Sequence, residues 1–246
     1  PEQVEIDGGR IVEPPAPQAP MTSKVVGRVN AGAFDVIFEE LHVAPELHNF
    51  HITDEDLGAG GQKTKYQNNV AAIRTLKQIE ADGRLATPEE QDILSRYVGW
   101  GSLAPAFDEH NKAWAKEFEE LQSLLTPEEY AAARATTLNA HYTCPRVIRA
   151  IYEAVERMGF QPGNVLEPSC GIGNFFGLLP ENLSGANLYG VELDGLTGRI
   201  ARQLYQKANI TVDGFENTDH PDDFFDLAVG NVPFGSYKVH DRRYNR

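Results

Sequence analysis

Asn164-Val165-Leu166-Glu167-Pro168-Ser169-Cys170-Gly171-Ile172-Gly173-Asn174-Phe175 reads as a short apolar strand, a glycine-rich turn and the start of a helical stretch. Gly171 and Gly173 permit a sharp turn and a close ligand approach that a side chain would obstruct. Outward from this segment, Val147, Ile148, Ile151 and Val155 mark a helix before it. After it come a strand over Asn187 to Leu193, a helix over Leu196 to Ala208 and a strand over Phe225 to Gly230. Strands alternating with helices predict an α/β, Rossmann-like domain on a parallel, doubly wound sheet. Such sheets bind ligands outside the carboxyl ends of their strands. The chemistry is therefore expected just after Leu166, Val191 and Val229.

Toward the N-terminus the pattern changes. Residues 1–22, with Glu13-Pro14-Pro15-Ala16-Pro17-Gln18-Ala19-Pro20, read as a proline-rich linker. Residues 23–135 form a mainly helical region, opened by a predicted strand over Lys24 to Val29 and a short helix over Ala33 to Leu41. Tyr66, Val70, Ile73, Leu76 and Ile79 recur at helical spacing, and Gly83 lies just past them as a stop signal. Thr87-Pro88-Glu89-Glu90 and Thr126-Pro127-Glu128-Glu129 each carry a capping hydroxyl, a first-turn proline and a glutamate that can bond back. Trp100, between Gly99 and Gly101, reads either as a buried aromatic anchor or as part of a ligand-contacting loop. Residues 136–246 hold the α/β domain, which the sequence leaves incomplete at its C-terminal end.

Bulk properties restrict the partners. The 246 residues carry a net charge of −14, which argues against an exposed nucleic-acid platform, since phosphate backbones are gripped chiefly by Lys and Arg. No apolar run is long enough for a membrane span, and the polar, acidic stretch Pro1 to Arg10 does not read as a signal peptide. Cys144 and Cys170 cannot form a disulfide framework and fit a reducing cytoplasm. A start at Pro1 points to an excerpt of a longer polypeptide. No metal site is expected.

Three segments carry chemistry. Glu167, at the end of the first strand, would repel a pyrophosphate but attract the cationic end of S-adenosylmethionine. Gly177 makes the turn look like a loosened dinucleotide fingerprint, which leaves an NAD-binding domain as an alternative. Glu192 lies about twenty residues beyond the glycines, where a carboxylate can accept both hydroxyls of a ribose. Asp194 reads as a helix cap. The third segment is Asp226-Leu227-Ala228-Val229-Gly230-Asn231-Val232-Pro233-Phe234-Gly235. It resembles the Asn-Pro-Pro-Tyr/Phe motif of amino-group methyltransferases, with Val232 in place of the first proline.

That resemblance implies an adenine-N6 DNA methyltransferase domain using S-adenosylmethionine. Its catalytic set would be Asn231, Val232, Pro233 and Phe234: the Asn231 side chain and the Val232 carbonyl accept the amine hydrogens, and Phe234 stacks on a flipped-out base. Val232, preceding Pro233, is confined to an extended backbone. Tyr142-Thr143-Cys144-Pro145 resembles the family's Tyr-Thr-Pro element with Cys144 inserted. The implied cofactor set is Tyr142, Thr143, Glu167, Pro168, Gly171, Gly173, Glu192 and Glu216, with Asp213 the alternative to Glu216; Thr143 can also be read as a helix cap. Glu167 to Phe175, Val191 to Asp194 and Gly230 to Gly235 together look most like the methylase–helicase proteins of conjugative plasmids, integrative elements and phages. Membership would make DNA a partner and the chain a part of a larger polypeptide with a helicase domain, although the chain holds no Walker-type phosphate loop. Methylation of a protein glutamine or of RNA, or a non-catalytic scaffold, stays open.

Overall fold

The computed structural model describes residues 24–31, 34–41, 46–138 and 142–232. It divides into two compact units, residues 1–47 and 48–246. The predicted linker over 1–22 lies outside the described residues.

In the first unit, β1 (Lys24–Ala31) and β2 (Phe34–Leu41) form an antiparallel hairpin, with Lys24 opposite Leu41 and Ala31 opposite Phe34. The expected strand is present, but the short helix expected over Ala33 to Leu41 is instead β2. Phe34, Val36, Ile37 and Phe38 are strand-favouring types. An adjacent strand of equal length satisfies the backbone of such a segment as fully as a helix would. Short apolar runs do not decide between the two by periodicity.

The second unit opens with four helices: α1 (Gln62–Ala81), α2 (Pro88–Ser95), α3 (Ala115–Leu124) and α4 (Pro127–Ala135). The α1 stripe is buried as its spacing predicts: Ile73, Leu76 and Ile79 are fully covered, and Tyr66 and Val70 nearly so. Gly83 follows α1 with φ +62°, a left-handed turn that stops the helix. Thr87 and Thr126 both form capping boxes, with Glu90 and Glu129 returning the bond to the cap backbone. Trp100 is an interior anchor, 1% exposed, with Tyr97 and Phe107 edge-on against it.

The sheet follows α5 (Pro145–Arg157). Ile148, Tyr152 and Val155 form the buried face of α5, whereas Val147 is 48% exposed. The strands β3 (Asn164–Glu167), β4 (Asn187–Glu192), β5 (Asn209–Val212) and β6 (Leu227–Ala228) are all parallel, in the order β5-β4-β3-β6. Between β3 and β4 lies one helical turn, α6 (Asn174–Gly177); between β4 and β5 lies α7 (Gly195–Leu204), capped by Asp194 onto the Thr197 N–H at 2.8 Å. The chain crosses from β5 over to β6 on the other side of β3. This reversal makes the edge between β3 and β6 the topological switch point, where open α/β sheets bind ligands.

The helical region packs on this sheet within the same unit. Gln91, 2% exposed, donates to the carbonyls of Gln203 and Leu204 at 2.9 and 3.1 Å. The backbone of Phe50 donates to Leu204 and that of Ile52 to Gly177, each at 2.8 Å. Among the described residues no helix is long and apolar enough to cross a membrane.

Candidate cofactor and catalytic site

β3 delivers Glu167 and Pro168 to the carboxyl edge of the sheet, and β4 delivers Glu192 beside them. Two bonds lock the glycine loop to β4: Cys170 donates its N–H to the Val191 carbonyl at 2.9 Å, and Gly171 donates to Glu192 Oε2 at 2.8 Å. Glu192 Oε1 accepts the Asp194 N–H at 2.8 Å. Each oxygen of an ionised carboxylate can accept two hydrogen bonds, so both keep a lone pair for a further donor such as a ribose hydroxyl. Burial pushes the Glu192 carboxyl above its ordinary range, against the pull of those two N–H groups.

Glu167 is 3% exposed, and its Oε2 is buried without a hydrogen-bond partner. Burial, then the neighbouring charge of Glu192, drive its pKa well upward. A buried acceptor left open is costly. The site therefore favours a cation or donor placed against Glu167, the complement of a sulfonium or ammonium. On this ground the residues fit S-adenosylmethionine.

The glycines have different occupations. Gly171 (φ +57°) turns the chain, and a Cβ there would come 3.1 Å from the Tyr142 ring. Gly173 (φ +87°) faces Tyr205, whose ring would stand 2.5 Å from an added Cβ, and Gly177 faces Ile52 and Tyr205 equally closely. Gly173 and Gly177 thus have packing reasons that involve no ligand, which weakens the dinucleotide-fingerprint alternative.

Tyr142 lies over the loop. Burial raises its hydroxyl pKa, and the nearby Tyr97, Glu192 and Asp194 act in the same direction. The N-cap of α5 is Cys144 and has no side-chain cap, so Thr143 is not a helix cap. Its side chain lines a cavity beside Tyr142. Beyond β5, Asp213 Oδ1 accepts from the Gly214 backbone at 2.6 Å and the Asn217 side chain at 2.8 Å, which hold its carboxyl below the usual range. Glu216 is exposed, in the one-turn helix Phe215–Asn217, and folds back toward Gly214.

At the switch point, Val229 donates its N–H to the Leu166 carbonyl at 2.9 Å. A Cβ on Gly230 would meet Glu167 Cγ at 3.3 Å. The backbone leading into Asn231 therefore passes directly against Glu167. Asn231 and Val232 are exposed at this edge; Pro233 and Phe234 lie outside the described residues.

The structure adds two residues to which the sequence reading gave no role. Asn174, within the glycine motif, has a buried Oδ1 without a partner, and Lys65 lines the same cavity as Thr143. The sequence signal for Lys65 is a first helical turn, Gln62-Lys63-Thr64-Lys65, that carries no acidic residue.

No protein-family model matches the chain. It is 27% identical over 180 residues, 72% of its length, to the Defense against restriction protein B of Escherichia phage P1. It is 37% identical over 91 residues, 37% of its length, to the Type II methyltransferase M.CvrRI of Paramecium bursaria Chlorella virus XZ-6E. The matches span 6% of the first protein and 23% of the second. With its four-stranded parallel sheet the chain is an α/β protein, and part of it is similar to a methyltransferase.

Proposed function

We propose that the chain is the S-adenosylmethionine-binding and catalytic-motif segment of a DNA adenine-N6 methyltransferase within a larger mobile-element protein. The observation that carries this reading is the meeting of Glu167 and Gly230 at the switch point. It brings a cation-seeking carboxylate and the Gly230-Asn231-Val232 segment to one sheet edge, with Glu192 on the next strand.

S-adenosylmethionine would supply an electrophilic methyl group on a sulfonium. Glu192 would accept the ribose hydroxyls, Tyr142 and Pro168 would flank the glycine loop, and Glu216 would accept from the adenine amine. Asn231 Oδ1 and the Val232 carbonyl would accept the two hydrogens of the target amine, whose lone pair is otherwise delocalised into the base. Held by these two acceptors, the amine would present its lone pair to the cofactor's methyl group, with S-adenosylhomocysteine as the leaving group and solvent as the acceptor of the displaced proton. Phe234 would hold the extruded base by stacking. The name of the phage relative favours a DNA substrate and a protective role for the methylation.

Isothermal titration with S-adenosylmethionine, S-adenosylhomocysteine and NAD tests the cofactor. The first two are expected to bind and NAD not to, and Glu192→Ala is expected to abolish binding. A folded chain that binds neither of the first two would overturn the reading. The charge of −14 favours a second reading, a non-catalytic scaffold. Asn231→Ala in the longer protein separates the two: loss of methyl transfer supports catalysis, whereas unchanged biological activity supports the scaffold.

A further inference from the structure

The helical region reaches the carboxyl edge of the sheet through one side chain, Thr197 in the first turn of α7, 7% exposed. Its hydroxyl donates to Asp194 Oδ1 at 2.6 Å. With that proton committed, the oxygen can only accept from any further partner, and it has two lone pairs for the purpose. Two tyrosines engage it: Tyr142, which lies over the glycine loop, and Tyr97, from the turn that follows α2. Burial, then the charge of Asp194, raise the Tyr97 pKa, so its hydroxyl stays protonated and serves as a donor.

From Thr197 the bonds lead on to Glu192. Asp194 is pinned by its own side chain, whose Oδ1 also accepts the Thr197 N–H at 2.8 Å. Its backbone N–H is thereby aimed at Glu192 Oε1, 2.8 Å away, while Gly171 holds Oε2 at the same distance. Two backbone donors thus set the plane of the Glu192 carboxylate, and one of them depends on Thr197.

At the other end, Tyr97 is 1% exposed in a turn that α1 clamps. Asn69, fully buried, donates to the Gly99 carbonyl at 2.6 Å and accepts the Val98 N–H at 2.9 Å. Gly99 takes φ +64° there, a left-handed conformation that disfavours any residue with a Cβ. Trp100 packs edge-on against Tyr97, with ring centroids 6.3 Å apart. Side chains locked by such support are what a preorganised site requires.

We propose that the helical region is the positioning element of the ribose site: Tyr97 acts through Thr197 and Asp194 to hold Glu192 in the orientation that accepts the ribose hydroxyls. The proposal rests on the cofactor reading above. It gives the Tyr97-Val98-Gly99-Trp100-Gly101 stretch a function that its burial alone does not.

Titration of the whole chain with S-adenosylhomocysteine and with its 2′,3′-dideoxy form tests it, since the second lacks only the two hydroxyls that Glu192 accepts. Tyr97→Phe keeps the ring and loses the hydroxyl. It is expected to weaken S-adenosylhomocysteine about fivefold, the order of one hydrogen bond, and the dideoxy form by less than about twofold. Thr197→Val is expected to reproduce this selectivity, and Thr197→Ser, which keeps the hydroxyl, to bind as the wild type does. Equal weakening of both ligands by Tyr97→Phe would assign the tyrosine to packing alone, and weakening of neither would leave it without a part in binding. Either result overturns the proposal while the cofactor reading stands, as does a wild-type chain that binds the two ligands equally. If a folded wild-type chain does not bind S-adenosylhomocysteine, the cofactor reading falls, and the proposal with it.

Discussion

At the scale of single residues, the buried carboxyl of Glu167 opposes folding as soon as it ionises. Its pKa is raised in the folded chain, so between the ordinary carboxylate range and that raised value the folded state binds more protons than the unfolded one. Stability from this residue is complete at low pH and is lost as pH rises through the folded pKa. Glu167→Gln is therefore expected to raise the melting temperature at pH 8 and to leave it nearly unchanged at pH 4, as read by calorimetry. Its effect on S-adenosylmethionine should run the other way: a cationic ligand favours the ionised carboxylate, so wild-type affinity should rise with pH while the variant binds weakly and without that dependence. A variant more stable and equally tight would reduce Glu167 to a packing residue. Its position, and that of Glu192, were legible because each is a carboxylate ending an apolar strand. The packing duties of Gly173 and Gly177 were not, because they depend on Tyr205 and Ile52, which no local pattern associates with them.

At the scale of elements, Glu129 joins three helices. It closes the α4 capping box, accepts Lys77 of α1 at 2.8 Å and accepts Arg199 of α7 at 2.9 Å. Burial opposes its ionisation, but the bonds from Lys77, Thr126 and Arg199 outweigh burial and hold its carboxyl below the usual range. Its contribution is present above the ordinary carboxylate pKa and lost as pH falls through the depressed one. Glu129→Ala is expected to cost roughly 2–3 kcal/mol near neutral pH, as for loss of hydrogen bonds to a charged group, and much less near pH 3; urea titrations at the two pH values measure both. The capping boxes were readable because every partner lies within four residues. The hairpin strand β2 was not, because its ladder depends on β1 and not on its own periodicity. The reach of Glu129 to α7 spans 70 residues and leaves no sequence signal.

At the scale of the whole molecule, the sequence separates a helical stretch from an α/β stretch, yet the fold of residues 48–246 merges them. Gln91 bonds across 112 residues to Gln203, and Arg199 bonds across 119 to Glu80. These contacts bury groups from both stretches in one hydrophobic core, so neither can open without exposing part of the other. The prediction is one cooperative transition, and the chain carries separate probes for its two parts. Both tryptophans, Trp100 and Trp114, are buried in the helical region, whereas Cys170 is buried in the sheet's glycine loop. Cys144 is exposed and marks the labelling that occurs in the folded state. Tryptophan fluorescence and pulsed thiol labelling of Cys170 should give the same urea midpoint. A Cys170 midpoint clearly below that of the tryptophans would mean that the sheet melts from a helical region able to stand alone. The turn that carries Tyr97 would then belong to a separate body, and Tyr97 could not be held against Thr197 by the fold itself.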